Sequence, residues 1–169
     1  MIEITKVYKQ SIGATRFIGK KYGDEDRVDG MFGAKWGEWF ENGWFDAIEK
    51  QVNGKLGTQF EDSGATIGLM GHENGEFKYW IGYFTPADTV VPEGFQSIDF
   101  PACNLGICWF YGKEEEVFGK EPMGAERLEQ EGYETVVFEG YMCFERYSGR
   151  FATADEKGNL TLDVGFFVK

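Results

Sequence analysis

Twelve residues near the middle of the chain, 73–84, return 83 positions later as residues 156–167. Both copies read Glu-x-Gly, then alternating apolar residues, then Gly-aromatic-Phe, ending at Phe84 and Phe167. A period of half the chain length predicts two copies of one strand-rich unit within one domain, related by an approximate two-fold axis. Such an axis runs through a groove, and function is to be sought there.

The copies span about residues 2–85 and 98–168, and each reads strand, helix, strand, strand. In the first, residues 5–22 suggest one long bent strand with bulges at Gly13 and Gly19. Phe32, Trp36, Trp39, Phe40, Trp44, Ala47, Ile48 and Val52 recur at three- and four-residue steps, which predicts an amphipathic helix. Asp29 can cap its start, and Asn53-Gly54 supplies a left-handed stop. Residues 65–70 and 77–84 form a hairpin about Asn74-Gly75. A turn-rich loop, residues 85–92, crosses to the second copy. There, residues 102–111 read as a strand and 113–130 as a helix that Pro122 must interrupt. Strands follow at 139–147 and 160–168. The expected fold class is α+β, a duplicated strand-helix-strand-strand unit forming an antiparallel sheet with helices on one side and a central ligand groove.

At 169 residues and 42% hydrophobic, the chain fits a single domain covering residues 1–169, and a chain of this size buries about 70% of its unfolded surface. Aromatics reach 17%, more flat apolar surface than core filling needs, so some should line a pocket. The net charge of −12 opposes direct nucleic-acid binding, which depends on clustered cations, and suits a cationic ligand. The N-terminus has no signal-peptide core and no stretch is long and apolar enough to span a membrane, so the expected location is cytoplasmic. Three cysteines without a dense framework fit a reducing compartment.

Few residues signal catalysis. His72, the single histidine, reads as a solvated turn residue. Cys103 and Cys108 are five apart on one strand, so they point to opposite faces and cannot share a metal. Residues 13–21 have the wrong glycine spacing for a phosphate loop, and Lys21 stands where Ser or Thr should hold magnesium. No cofactor or metal is expected. Strand alternation is more informative: Tyr141, Cys143, Glu145 and Tyr147 share one face. On the next strand Leu160, Leu162, Val164, Phe166 and Val168 form the apolar face that should carry the helices, leaving Asp163 and Phe167 opposite. The first copy supplies Lys78, Trp80 and Phe84 as the matching set, with Gly82 and Gly165 leaving room against the sheet. A carboxylate among these rings would attract an organic cation. The other reading of Glu145 is a salt bridge to Arg16, Arg146 or another base.

Tyr79-Trp80-Ile81-Gly82-Tyr83-Phe84, Val91-Pro92-Glu93-Gly94-Phe95, Phe100-Pro101-Ala102-Cys103, Glu131-Gly132-Tyr133-Glu134 and Phe144-Glu145-Arg146-Tyr147 resemble, in this order, the GyrI-like, AraC-type effector-binding domains. The resemblance implies a duplicated fold whose central groove binds small aromatic or cationic compounds, with Glu145 at the pocket base and Tyr147 beside it. Trp80, Phe84, Asp163 and Phe167 are the other expected ligand-binding residues. The chain departs from the family in the irregular second helix, with Gly119, Pro122 and Gly124. It also shows no DNA-binding segment ahead of Met1, so a transcriptional role would need a separate regulator as partner.

Three function classes follow: a sensor or sequestering module for multidrug-type ligands, a hydrolase of strained cyclopropane-type toxins using Glu145 and Asp163, or a gyrase-binding inhibitor. The absence of a further His, Lys or Ser constellation favours binding.

Overall fold

Eight strands hydrogen-bond into one antiparallel sheet in the order β1-β6-β8-β7-β3-β4-β2-β5. The computed structural model describes residues 1–169. The strands are β1 (Glu3–Ile12), β2 (Thr15–Gly23), β3 (Thr66–Glu73), β4 (Glu76–Pro86), β5 (Gln96–Phe100), β6 (Cys103–Gly112), β7 (Tyr141–Tyr147) and β8 (Leu160–Val168). The helices are α1 (Gly33–Asn42), α2 (Trp44–Val52), α3 (Glu114–Val117), α4 (Glu121–Gln130) and α5 (Gly149–Ala152).

The order is symmetric about the β7–β3 junction. The hairpin β3–β4 and the pair β7–β8 flank it, β2 and β6 follow outward, and β1 and β5 form the edges. Each edge strand is exchanged: β1 precedes β2 in sequence but pairs with β6, and β5 precedes β6 but pairs with β2. Gly82 lies opposite Ile67 in one half and Gly165 opposite Phe144 in the other. Matching the two glycines therefore matches Gly68 to Glu145, and these two residues are themselves paired across the β3–β7 junction. The local two-fold passes between them.

Local sequence explains the turns. Asn74 and Gly75 adopt φ of 52° and 79°, as a two-residue hairpin loop that follows strand twist requires. Residues 5–22 are two strands rather than one: the chain breaks between Ile12 and Thr15 because the two parts pair on opposite sides of the sheet. The expected first helix is likewise divided, since Gly43 sits in the left-handed region at φ 65° and separates α1 from α2. Asp29 does not cap α1. It occupies a tight turn at φ 54°, bridged by Val28 and Met31, and Phe32 precedes the helix without a side-chain cap. Asn53 and Gly54 do provide the left-handed stop after α2. Pro122 falls in the first turn of α4, where its missing N–H costs nothing.

Both faces of the sheet are apolar. On one, Ile81, Tyr83, Cys108, Phe110, Leu162, Val164 and Phe166 pack with Trp39, Phe45 and Ile48 of the first helix pair and Leu128 of α4. On the other, Phe17, Leu69, Trp80, Phe84, Phe144 and Phe167 form a second cluster, against which Phe60, Val136 and Phe138 pack.

Candidate ligand site

A cavity of about 910 Å³ lies on the helix side of the sheet, over the local two-fold. Its floor is made by Met70 of β3, Phe77 and Tyr79 of β4, and Glu145 and Tyr147 of β7. Phe32, Trp36 and Phe40, spaced at four residues along the start of α1, form one wall, with Met31 at the rim. Phe118, between α3 and α4, and Phe151 of α5 form the other, together with Glu114, Glu115 and Glu121. Met31 and Phe40 are 54% and 68% exposed at the mouth.

Glu145 is the charged group at the centre. It is 7% exposed, and its Oε1 accepts a hydrogen bond from the Tyr79 hydroxyl at 2.6 Å. Tyr79 in turn accepts from the Trp36 indole N–H at 3.0 Å and stacks on Phe32 with ring centroids 4.4 Å apart. Tyr147 sets its ring edge-on to Trp36 and Phe151. Burial pushes the Glu145 carboxyl up to about 7, with the Glu121 charge adding to the rise, while the Tyr79 and Tyr147 hydroxyls pull it down. No protein cation acts on it. The expected salt bridge to Arg16 or Arg146 does not form: Arg16 pairs with Asp99 and Arg146 with Asp163. Arg27, the one basic residue in the lining, binds Asp24 and lies over the rings of Phe32 and Phe77.

Of the six residues expected from sequence to bind ligand, the structure brings only Glu145 and Tyr147 to this cavity. Trp80, Phe84 and Phe167 point to the opposite face, where they pack among Phe17, Phe100, Phe144 and Tyr141. Asp163 also lies there, fully buried, bound by Arg146 at 2.9 Å and Arg150 at 2.8 Å. Arg146 reaches on to Gln10 and Tyr8, and Arg150 to Asp62, so the cluster ties β1 and the 53–65 segment to β7 and β8. The reason is register: Glu145 is paired with Val164, on the helix side, and Asp163 with Arg146, on the other. Glu145 and Asp163 therefore stand on opposite faces of the sheet, with no shared site between them. The glycines leave no room for a ligand either. A side chain at Gly165 would meet the Phe144 ring at 2.3 Å, and one at Gly82 the Ile18 carbonyl at 2.0 Å.

Phe32, Trp36, Phe77, Tyr79, Phe118 and Phe151 also line the cavity, and strand alternation does not point to them. The 32, 36, 40 spacing was a usable signal, because it marks a different helix face from Trp39, whose ring is wholly buried. His72 is exposed at the end of β3. Cys108 and Cys103 do pack on opposite faces, and burial raises both thiols.

No protein-family model and no curated protein sequence matches this chain. Solved structures do share its fold. SAV2435, determined bound to tetraphenylphosphonium, has a TM-score of 0.67 at 16% identity, with 98% of this chain and 94% of that one covered. A Staphylococcus aureus protein proposed to act in transcription regulation has a TM-score of 0.64 at 17% identity, covering 97% and 98%. A hydrolase from Listeria innocua has a TM-score of 0.56 at 10% identity, covering 97% and 92%.

Proposed function

We propose that this chain is a small-molecule receptor module of the GyrI-like effector-binding type, whose ligand is a bulky aromatic cation. The observation that carries this reading is the Glu145 carboxylate: buried on the cavity floor, held by hydroxyls, and without a protein cation. An anion in that position is costly until a positive charge joins it. Rings from both copies surround it, Phe32, Trp36, Phe77 and Tyr79 from one and Phe118, Tyr147 and Phe151 from the other. They present faces to a cation and apolar area to its substituents. Three further carboxylates on one wall bias the cavity toward positive ligands. The tetraphenylphosphonium bound to SAV2435 is a compound of this chemistry. In this reading the chain is a sensor or a sequestering protein, cytoplasmic, and forms no direct contact with nucleic acid. A separate regulator would carry any transcriptional output.

A hydrolytic reading has one observation behind it, the Glu145 carboxyl held near 7, where it could exchange a proton with a reacting ligand. It would have to use Glu145 without Asp163. Titration calorimetry with tetraphenylphosphonium tests binding, and mass spectrometry of the protein incubated with aromatic cations and strained electrophiles tests turnover. Saturable binding with ligands recovered unchanged supports the receptor. Conversion that disappears in Glu145→Gln supports the hydrolase.

A further inference from the structure

Gly68 is the two-fold counterpart of Glu145 and its partner in the β3–β7 ladder. The duplicated fold thus has two equivalent floor positions and places a carboxylate in only one. Backbone conformation does not demand glycine here: Gly68 is not among the residues with positive φ, and it stands inside a strand between Ile67 and Leu69. Glycine weakens a strand interior. Local space gives the reason. A Cβ at residue 68 would lie 2.2 Å from the Tyr79 hydroxyl oxygen and 2.7 Å from Glu145 Oε1. The volume a side chain would take is the volume the Tyr79–Glu145 hydrogen bond occupies.

We propose that Gly68 is a specificity-determining positioning residue: lacking a side chain, it lets the Glu145 carboxylate and the Tyr79 hydroxyl meet at the axis, and so makes the cavity select a central cation over a neutral molecule of similar shape. This rests on the reading of the cavity as a cation site. Any larger residue at position 68 displaces both partners, while Phe40, Phe118 and Phe151 stand on other elements and keep the apolar walls. The cavity then keeps its apolar affinity and loses its charge discrimination.

The test compares tetraphenylphosphonium with the neutral triphenylphosphine oxide by titration calorimetry in the wild type, Gly68→Ala, Tyr79→Phe and the double variant. The expected result is a phosphonium affinity lowered about tenfold or more in Gly68→Ala, as for loss of a charge-assisted contact, with the oxide changed by less than about twofold. In the Tyr79→Phe background the same glycine substitution should cost the phosphonium less, because the hydrogen bond it breaks is already gone. Equal losses for both probes, or additive effects, would reduce Gly68 to a packing role and overturn the proposal. A ligand-free arm follows the Glu145 carboxyl carbon by NMR: its titration midpoint should rise in Gly68→Ala, and an unchanged midpoint contradicts the positioning role. If the wild type binds neither probe, the cation-site reading fails while this arm still decides what Gly68 does. Should Gly68→Ala not fold, the double variant against Tyr79→Phe carries the comparison, and failure of both to fold assigns Gly68 to packing alone.

Discussion

The Tyr79 hydroxyl donates to Glu145 at 2.6 Å while accepting the Trp36 indole N–H at 3.0 Å, so that helix α1 is linked through one phenol to the carboxylate on the cavity floor. Tyr79→Phe should disconnect them. Without that donor the Glu145 carboxyl is ionised in fewer molecules at neutral pH and loses the group that orients it, so a bound cation should lose roughly severalfold in affinity. The Glu145 carboxyl should also titrate higher than in the wild type. Calorimetry at neutral pH checks the first, and an affinity within about twofold of the wild type would mean that Tyr79 does not prepare the carboxylate for a cation.

Ligand affinity should depend on pH because Glu145 titrates at about 7. Cation binding needs the carboxylate, so affinity should increase about tenfold between pH 6 and pH 8. Glu145→Gln should flatten the profile. The groups facing Glu145 are the Tyr79 and Tyr147 hydroxyls, whose own values lie well above the ordinary tyrosine range, and Glu121. A profile that falls between pH 6 and pH 8 would contradict this assignment.

Stability of the ligand-free protein should move the other way. The folded Glu145 value lies above the ordinary carboxyl value of 4.5, so between those points the native state holds a proton that the unfolded chain has lost. Stability attributable to this group is present below about pH 4.5 and lost as pH rises through 7, by roughly 3 kcal/mol at 1.36 kcal/mol per unit. Glu145→Gln should therefore raise the melting temperature at pH 8 and lose that advantage near pH 5. Thermal melts across this range provide the check.

Asp163 offers a contrast. With Arg146 1% exposed and Asp163 fully buried, removing the charge of one partner in Asp163→Asn should destabilise the fold by about 3 to 5 kcal/mol. Cation affinity of the folded fraction should be unaffected, since the pair lies across the sheet from the cavity. Denaturant melts and titration below the melting point separate the two effects. Loss of ligand affinity in a folded Asp163→Asn would mean that the two faces are coupled.

The repeat, the Asn74-Gly75 hairpin, the β8 boundaries and the placement of Glu145 on the floor of a groove were legible because each depends on residues adjacent in sequence or on a resemblance covering them. The partners of Glu145 were not. Alternation along β7 places Glu145 and Tyr147 together, but it does not say whether Tyr79 or Trp80 of β4 shares their face, which depends on register through β3. The offset Met70/Gly71 in the β3–β7 ladder, with Tyr141 turned into the second cluster, alters that parity again. The exchanged edge strands escaped for a similar reason: pairs as distant in sequence as Glu3 with Tyr111 and Thr15 with Phe100 leave no local trace. Asp163 looked like a pocket carboxylate because the two arginines that neutralise it reach it only in three dimensions.

Direct nucleic-acid binding should be absent. The chain carries a net charge of −12, and affinity for duplex DNA rises with the number of phosphates that cations neutralise. A gel shift at physiological ionic strength should show free DNA only. Salt-sensitive retardation would contradict this expectation.

Cation binding depends above all on the charge of Glu145, which titration of tetraphenylphosphonium into wild type and Glu145→Gln at pH 8 isolates. Truncating one partner of a desolvated charge pair costs about 2 to 5 kcal/mol. Saturable one-to-one binding by the wild type is expected, with affinity lower by well over tenfold in a Glu145→Gln protein that melts no earlier. Equal affinity in the two proteins would contradict it.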